Sequence, residues 1–107
     1  MEKVMQAIEE NISEPEFGVE ALSAAVLMSP NHLHRKLTAL IQQSPGNLIR
    51  SMRLQRAAEL LIKQAGTINE IAYNVGFSVP ENFSRSFKKQ FGVSPSEYAR
   101  LNADKHS

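Results

Sequence analysis

Apolar residues along this chain recur at helical spacing, and no segment alternates convincingly as a strand would. Val4, Ile8 and Ile12 form one stripe, with Glu2, Gln6, Glu9 and Glu10 on the other faces, so the spacing predicts a first helix over about 2–12. Pro15 and Gly18 punctuate the following stretch as a connection. Val19, Leu22 and Val26 then mark a short second helix. Ser29-Pro30, Ser44-Pro45 and Ser94-Pro95 each place a hydroxyl at an N-cap and a proline at the first helical position, where its missing N–H costs nothing. Thr67 with Glu70, and Ser94 with Glu97, have the spacing of a capping box. Further helices are therefore expected near 30–41, 45–64, 67–74, 80–91 and 95–103, with Asp104 to Ser107 as a frayed end. The fold class is all-α, with seven helices.

Two stretches of the chain repeat one another. Val19, Leu22, Val26 and Ser29 match Ile68, Ile71, Val75 and Ser78. After one extra residue at Val79, Leu33, Arg35 and Leu37 match Phe83, Arg85 and Phe87; Ser44-Pro45 matches Ser94-Pro95, and Leu48 matches Tyr98. Each copy reads as a short helix, a tight turn and a second capped helix, the helix-turn-helix layout. The expected organisation is one domain: a first lobe over about 1–43, a linker helix over about 45–64 and a second lobe over about 66–103.

A helix that reads DNA buries one face and offers polar side chains on the other. In helix 80–91, Phe83, Phe87 and Phe91 fall within about 80° of arc, and Glu81, Asn82, Arg85, Lys88 and Lys89 within about 120° on the opposite side. In helix 30–41, Leu33, Leu37, Leu40 and Ile41 form the apolar stripe, with Asn31, His34, Arg35 and Thr38 roughly opposite. Arginine can pair with guanine O6 and N7, asparagine with adenine N6 and N7, and glutamate can accept from cytosine N4. Hydroxyl and lysine side chains suit phosphates. The linker of about 20 residues would span roughly 30 Å, near the ~34 Å between successive major grooves on one side of a duplex. Arg50, Arg53 and Arg56 share about 120° of its surface and are candidates for phosphate contact. The alternatives are an ion pair of Arg56 with Glu59, and a structural role for Arg53.

Charge sharpens this picture. The net charge is +1, yet residues 1–20 hold six acids and one base, while the remainder holds eleven bases and five acids. A polyanion needs a local basic face rather than a high overall charge. The acidic face of the first helix is a candidate contact for a neighbouring domain or RNA polymerase. With no cysteine, disulfides, thiolate metal sites and cysteine nucleophiles are excluded. His32 and His34 project about 200° apart on a helix and cannot share a metal. No Gly-rich phosphate loop or nucleophile elbow is present, so no catalytic residue, metal or cofactor is expected. No apolar run approaches the ~20 residues of a membrane span, no leader pattern opens the sequence, and a cytoplasmic location is expected. A helical protein-interaction module without DNA selectivity is the rival reading.

The second half, Ile68-x-Glu70-Ile71-Ala72-x-x-Val75-Gly76-Phe77 followed by Phe83-Ser84-Arg85-x-Phe87-Lys88-Lys89-x-Phe91-Gly92-Val93-Ser94-Pro95-x-x-Tyr98, resembles the AraC/XylS family of bacterial transcription regulators. Met28-Ser29-Pro30, Leu33-x-Arg35-Lys36-Leu37 and Arg53-Leu54-x-x-Ala57-x-x-Leu60-Leu61 fit the same pattern, which covers about 19–101. The resemblance implies that the third and sixth helices enter adjacent major grooves of double-stranded DNA. It makes Asn31, His34, Arg35, Glu81, Asn82 and Arg85 the expected base readers. Ser29, Thr38, Arg50, Arg56, Ser84, Lys88 and Lys89 are the expected phosphate contacts. The segment Glu10-Asn11-Ile12-Ser13 to Phe17-x-Val19-Glu20, followed by Leu33-His34-Arg35-Lys36-Leu37, is similar to output domains of hybrid two-component sensor-regulators for glycan use, whose receiver and sensor parts would lie outside this chain. Leu27 and Gln42 stand where the family usually has glycine, and a left-handed backbone at either would carry strain.

Overall fold

The computed structural model describes residues 1–103, so the expected frayed end lies outside the described residues. Seven helices follow one another: α1 (Glu2–Glu10), α2 (Val19–Ala25), α3 (Pro30–Ile41), α4 (Pro45–Ile62), α5 (Ile68–Asn74), α6 (Pro80–Phe91) and α7 (Pro95–Leu101). No strand occurs among the described residues. Three of the expected caps form. The hydroxyls of Ser29, Ser44 and Ser94 accept from the backbone N–H of His32, Asn47 and Glu97 at 3.1, 3.2 and 3.2 Å. At α5 the capping box is complete, with Glu70 N–H donating to Thr67 Oγ1 and Thr67 N–H donating to Glu70 Oε1. At α7 Glu97 instead lies 3.4 Å from the Arg100 guanidinium, and the reciprocal bond of a box is not made. The first helix stops at Glu10, two residues short of the expected end, where the Asn11 side chain turns back to the Ala7 carbonyl at 2.9 Å.

Two separate cores are strung on α4. Val4, Ile8, Phe17, Leu22, Leu33 and Leu37 pack with Leu48 and Ile49 of its first half. Ile71, Ala72, Val75, Phe83 and Phe87 pack with Leu54, Ala57, Ala58 and Leu61 of its second half. The matched Ser-Pro pairs explain the arrangement: the start of α4 closes the first lobe as α7 closes the second. One 18-residue helix, about 27 Å long at 1.5 Å per residue, therefore belongs to both lobes. The molecule measures 43 × 25 × 23 Å. Leu40 departs from its expected place in the α3 stripe, being 57% exposed. The α3 helix packs on α2 and α4, which cover Leu33 and Leu37 but leave Leu40 at the rim of a small cleft beside Met1, Lys3 and Lys36.

Candidate DNA interface

On α6 the buried Phe83 and Phe87 anchor one face, in ring contact with Phe77, Phe91 and Tyr98 at centroid distances of 4.5–5.7 Å. A helix held this firmly turns Glu81, Asn82, Arg85, Lys88 and Lys89 to solvent, and all five are exposed. Arg85 Nη2 donates to Asn82 Oδ1 at 2.7 Å, so two expected base readers are already oriented together on one turn. Ser84 is half-buried at the edge of this face. On α3, Asn31, His34, Arg35 and Thr38 are likewise exposed, opposite buried Leu33 and Leu37. Ser29 spends one lone pair on the His32 amide and keeps its O–H free to donate.

Between the lobes lies an open groove of about 620 Å³. Gln43, just past α3, stands at one end; Asn47, Arg50 and Ser51 of α4 form one wall, and Ser86, Lys89 and Gln90 of α6 the other. Its two charged residues are both basic, so its potential is positive without a local counterion. The Arg50 guanidinium is steadied by Asn47 Oδ1 at 2.9 Å. Lys89 and Arg50, which sequence alone could not bring together, thus share one concave surface that reaches Gln43, just past α3.

The other two arginines of α4 part company with Arg50. Arg56 pairs with Glu59 at 3.2 Å and lines a different groove, with Met5, Glu9, Ile12 and Met52. Two carboxylates at that site oppose any polyanion. Arg53 turns inward: Nη2 donates to the carbonyls of Glu14 and Phe17 at 2.8 and 3.1 Å, and burial pushes its pKa down. The six acids of residues 1–20 are all exposed, five on α1 and its connection and Glu20 in the first turn of α2. Among the described residues no cluster of His, Asp and Glu is spaced to hold a metal, and no helix is long and apolar enough to cross a membrane.

Residues 22–101 match the model of a helix-turn-helix domain family. Over 98 residues the chain is 36% identical to histidine kinase P4 of Formosa agariphila, covering 92% of this chain but 7% of the length of that kinase. It is similar to the C-terminal domain of AraT, a response regulator from Geobacillus stearothermophilus, with TM-score 0.86 and 33% identity over 94% of this chain and 83% of that one. The DNA-binding domain of AdpA, a global transcriptional factor solved in complex with a target DNA, superposes with TM-score 0.86 at 29% identity, covering 97% of this chain and 92% of that one. Members of this family act by recognising DNA rather than by catalysis, and this chain belongs to it: an AraC-type helix-turn-helix domain, the DNA-binding part of a transcription regulator.

Proposed function

We propose that the domain reads double-stranded DNA with α3 and α6 in two successive major grooves, and that it is the output module of a hybrid two-component sensor-regulator controlling carbohydrate use. The observation that carries the first part is the basic groove between the lobes, walled by α4 and α6, together with the exposed polar faces that α3 and α6 each carry opposite a buried stripe. A strand passing from one major groove to the next presents its phosphates to Arg50 and Lys89. Asn31, His34 and Arg35 of the first lobe, and Glu81, Asn82 and Arg85 of the second, face base edges. Ser29, Thr38, Arg50, Ser84, Lys88 and Lys89 take phosphates; Arg56, committed to Glu59, is left out of this set. The molecule's 43 Å length accommodates two helices one duplex turn, about 34 Å, apart.

Support for the second part is the likeness to a histidine kinase that is far longer than this chain, and to a response-regulator domain. Receiver and sensor domains are then covalent neighbours, RNA polymerase is a partner, and the site of action is the cytoplasm. Selection of bound sites from random duplexes, followed by mobility shifts across a salt series, tests the reading. The expected result is two short conserved motifs about one turn apart and a steep salt slope. Binding with no sequence preference would reject it. Arg85→Ala is expected to cost about 1–3 kcal/mol and relax the preference at one base position; unchanged selectivity removes Arg85 from the readers.

A further inference from the structure

Among the described residues, two side chains make hydrogen bonds to a distant part of the chain: Arg53, and more weakly Gln90, which reaches the Ser51 carbonyl at 3.5 Å. Arg53 occupies the changeover point of α4. Met52, just before it, packs on the first core, and Leu54, just after it, lies in the second. Its Nη2 holds two carbonyls of the α1–α2 connection, at Glu14 and Phe17. Its other side is closed by the α5–α6 turn of the second lobe. A Cβ on Gly76 would stand 2.9 Å from Arg53 Nε, 3.0 Å from its Cζ and 2.6 Å from the Ile12 carbonyl. The guanidinium is thus clasped between backbone of both lobes, and its Nε is buried with no partner of its own.

We propose that Arg53 is a positioning residue that fixes how the two lobes are turned about α4, and so sets the spacing between the two half-sites the domain accepts. This rests on the reading of two helices in successive grooves. Each core fixes one lobe to its own half of α4, and a direct contact between the lobes resists the twisting and bending that the helix alone leaves between them. The clasp is that contact: one amino nitrogen, Nη2, of a rigid planar guanidinium donates to both carbonyls, and the Gly76 turn packs against the Nε–Cζ edge of the same plane. The tolerance is small. One base-pair step is about 3.4 Å, which over an arm of roughly 12 Å across the helix axis, half the 25 Å width, corresponds to about 16 degrees of rotation. Lysine keeps the charge and could donate to a carbonyl, but it has no planar Nε–Cζ edge for the Gly76 turn to pack on, so it ties the first lobe without bracing the second.

The experiment reads lobe geometry and spacing separately. The chain has no cysteine, so Ala39→Cys on α3 and Asn69→Cys on α5, both exposed, accept spin labels at two defined places. Pulsed electron-resonance distances on the full chain without DNA are expected to give one narrow distribution, which Arg53→Lys broadens at least twofold. Duplexes carrying the selected half-sites with one base pair inserted or deleted between them supply the second readout. The parent should lose about tenfold or more in affinity, and Arg53→Lys about threefold or less, with base preference within each half-site unchanged. A folded Arg53→Lys with the parent's distance width and spacing preference overturns the proposal. So does a broad distribution in the parent, or an Arg53→Lys that fails to fold, which would assign the guanidinium to the integrity of the first lobe. If the parent selects no sequence, the DNA reading fails, while the distance distributions still decide whether Arg53 holds the lobes.

Discussion

The two lobes share a backbone and differ in what they place on it. In the first, Leu27 N–H donates to the Ala24 carbonyl and Met28 N–H to that of Ser23; in the second, Gly76 N–H donates to Tyr73 and Phe77 N–H to Ala72. These are the paired bonds of a Schellman turn, with a left-handed residue just past the helix. At the ends of α3 and α6, Gln42 N–H and Gly92 N–H close on Thr38 and Lys88 by a single bond four residues back, the simpler left-handed cap. The second lobe puts glycine at both left-handed positions, φ +91° at Gly76 and +84° at Gly92; the first puts Leu27 at +57° and Gln42 at +58°. The cores differ likewise. Leu33, Leu37, Ile41 and Leu48 stand where the second lobe stacks Phe83, Phe87, Phe91 and Tyr98. Turn geometry is therefore dictated by the helix-turn-helix itself, and glycine is demanded only where something presses on the turn.

At Gly76 something does. Ile12 O and Arg53 leave no room for a methyl group, whereas Leu27 is 94% exposed and meets nothing. Gly76→Ala is expected to cost about 3 kcal/mol, combining left-handed strain with overpacking, as read from urea midpoints at constant m. Leu27→Ala should be nearly neutral by the same measurement. Equal costs at the two positions would show that the lobes' turns are not distinguished by the joint.

The reverse exchange is milder. Leu27→Gly and Gln42→Gly remove side chains that are exposed and relieve strain of roughly 1–2 kcal/mol. Part of this is lost to the greater freedom of glycine in the unfolded chain. A net gain of about 0.5–1 kcal/mol is expected at each, and the two should add, since they sit at opposite ends of α3. A loss at either would mean that the first lobe has adapted its turn to the larger residue.

Much of this architecture was legible in the sequence because the repeat constrains it. Paired Ser-Pro caps marked three helix starts, the Phe stripe marked α6, and leucine at 27, where the family resemblance led one to expect glycine, pointed to strain at the right backbone position. Leu40 misled because its apolar character suggested burial, although its counterpart in the repeat is Gln90, a surface residue. The roles of the three α4 arginines were not separable from spacing. Arc positions on an isolated helix cannot show that Glu59 captures one, that backbone carbonyls capture another, and that Lys89 comes round to face the third. The Gly76–Arg53 contact was equally hidden, because it joins segments more than twenty residues apart.

That separation yields a contrast within binding. Lys88→Ala and Arg50→Ala are each expected to flatten the salt slope by about one unit and to weaken all sequences alike. Arg56→Ala should leave the slope unchanged, its charge being neutralised by Glu59 in the free protein. Matching the phosphate set lobe by lobe, the second should contribute more of the slope, since Lys88 and Lys89 stand where the first has Thr38 and Ala39. An Arg56→Ala slope as shallow as that of Arg50→Ala would place the acidic groove on DNA after all.

The smallest effect concerns acid. The second lobe opens α5 with Thr67 and Glu70 bonded reciprocally, while the first opens α2 at Gly18, with no side-chain cap. Hydrogen bonds from the Thr67 backbone and side chain hold the Glu70 carboxyl below its ordinary pKa. A carboxyl lowered by folding stabilises the folded state above its unfolded pKa, and that contribution fades as pH falls through the lowered value. The carboxylate is fully solvated, so the loss is local: the first turn of α5 frays before either core responds. Amide exchange at Thr67 and Glu70 should therefore accelerate, relative to its intrinsic rate, as pH falls below the range where an ordinary glutamate titrates. The amides opening α2 should show no such step from a cap. Glu70→Gln removes the step and keeps an acceptor for the Thr67 N–H. A step that survives Glu70→Gln would belong to another carboxylate and leave the two lobes alike in acid.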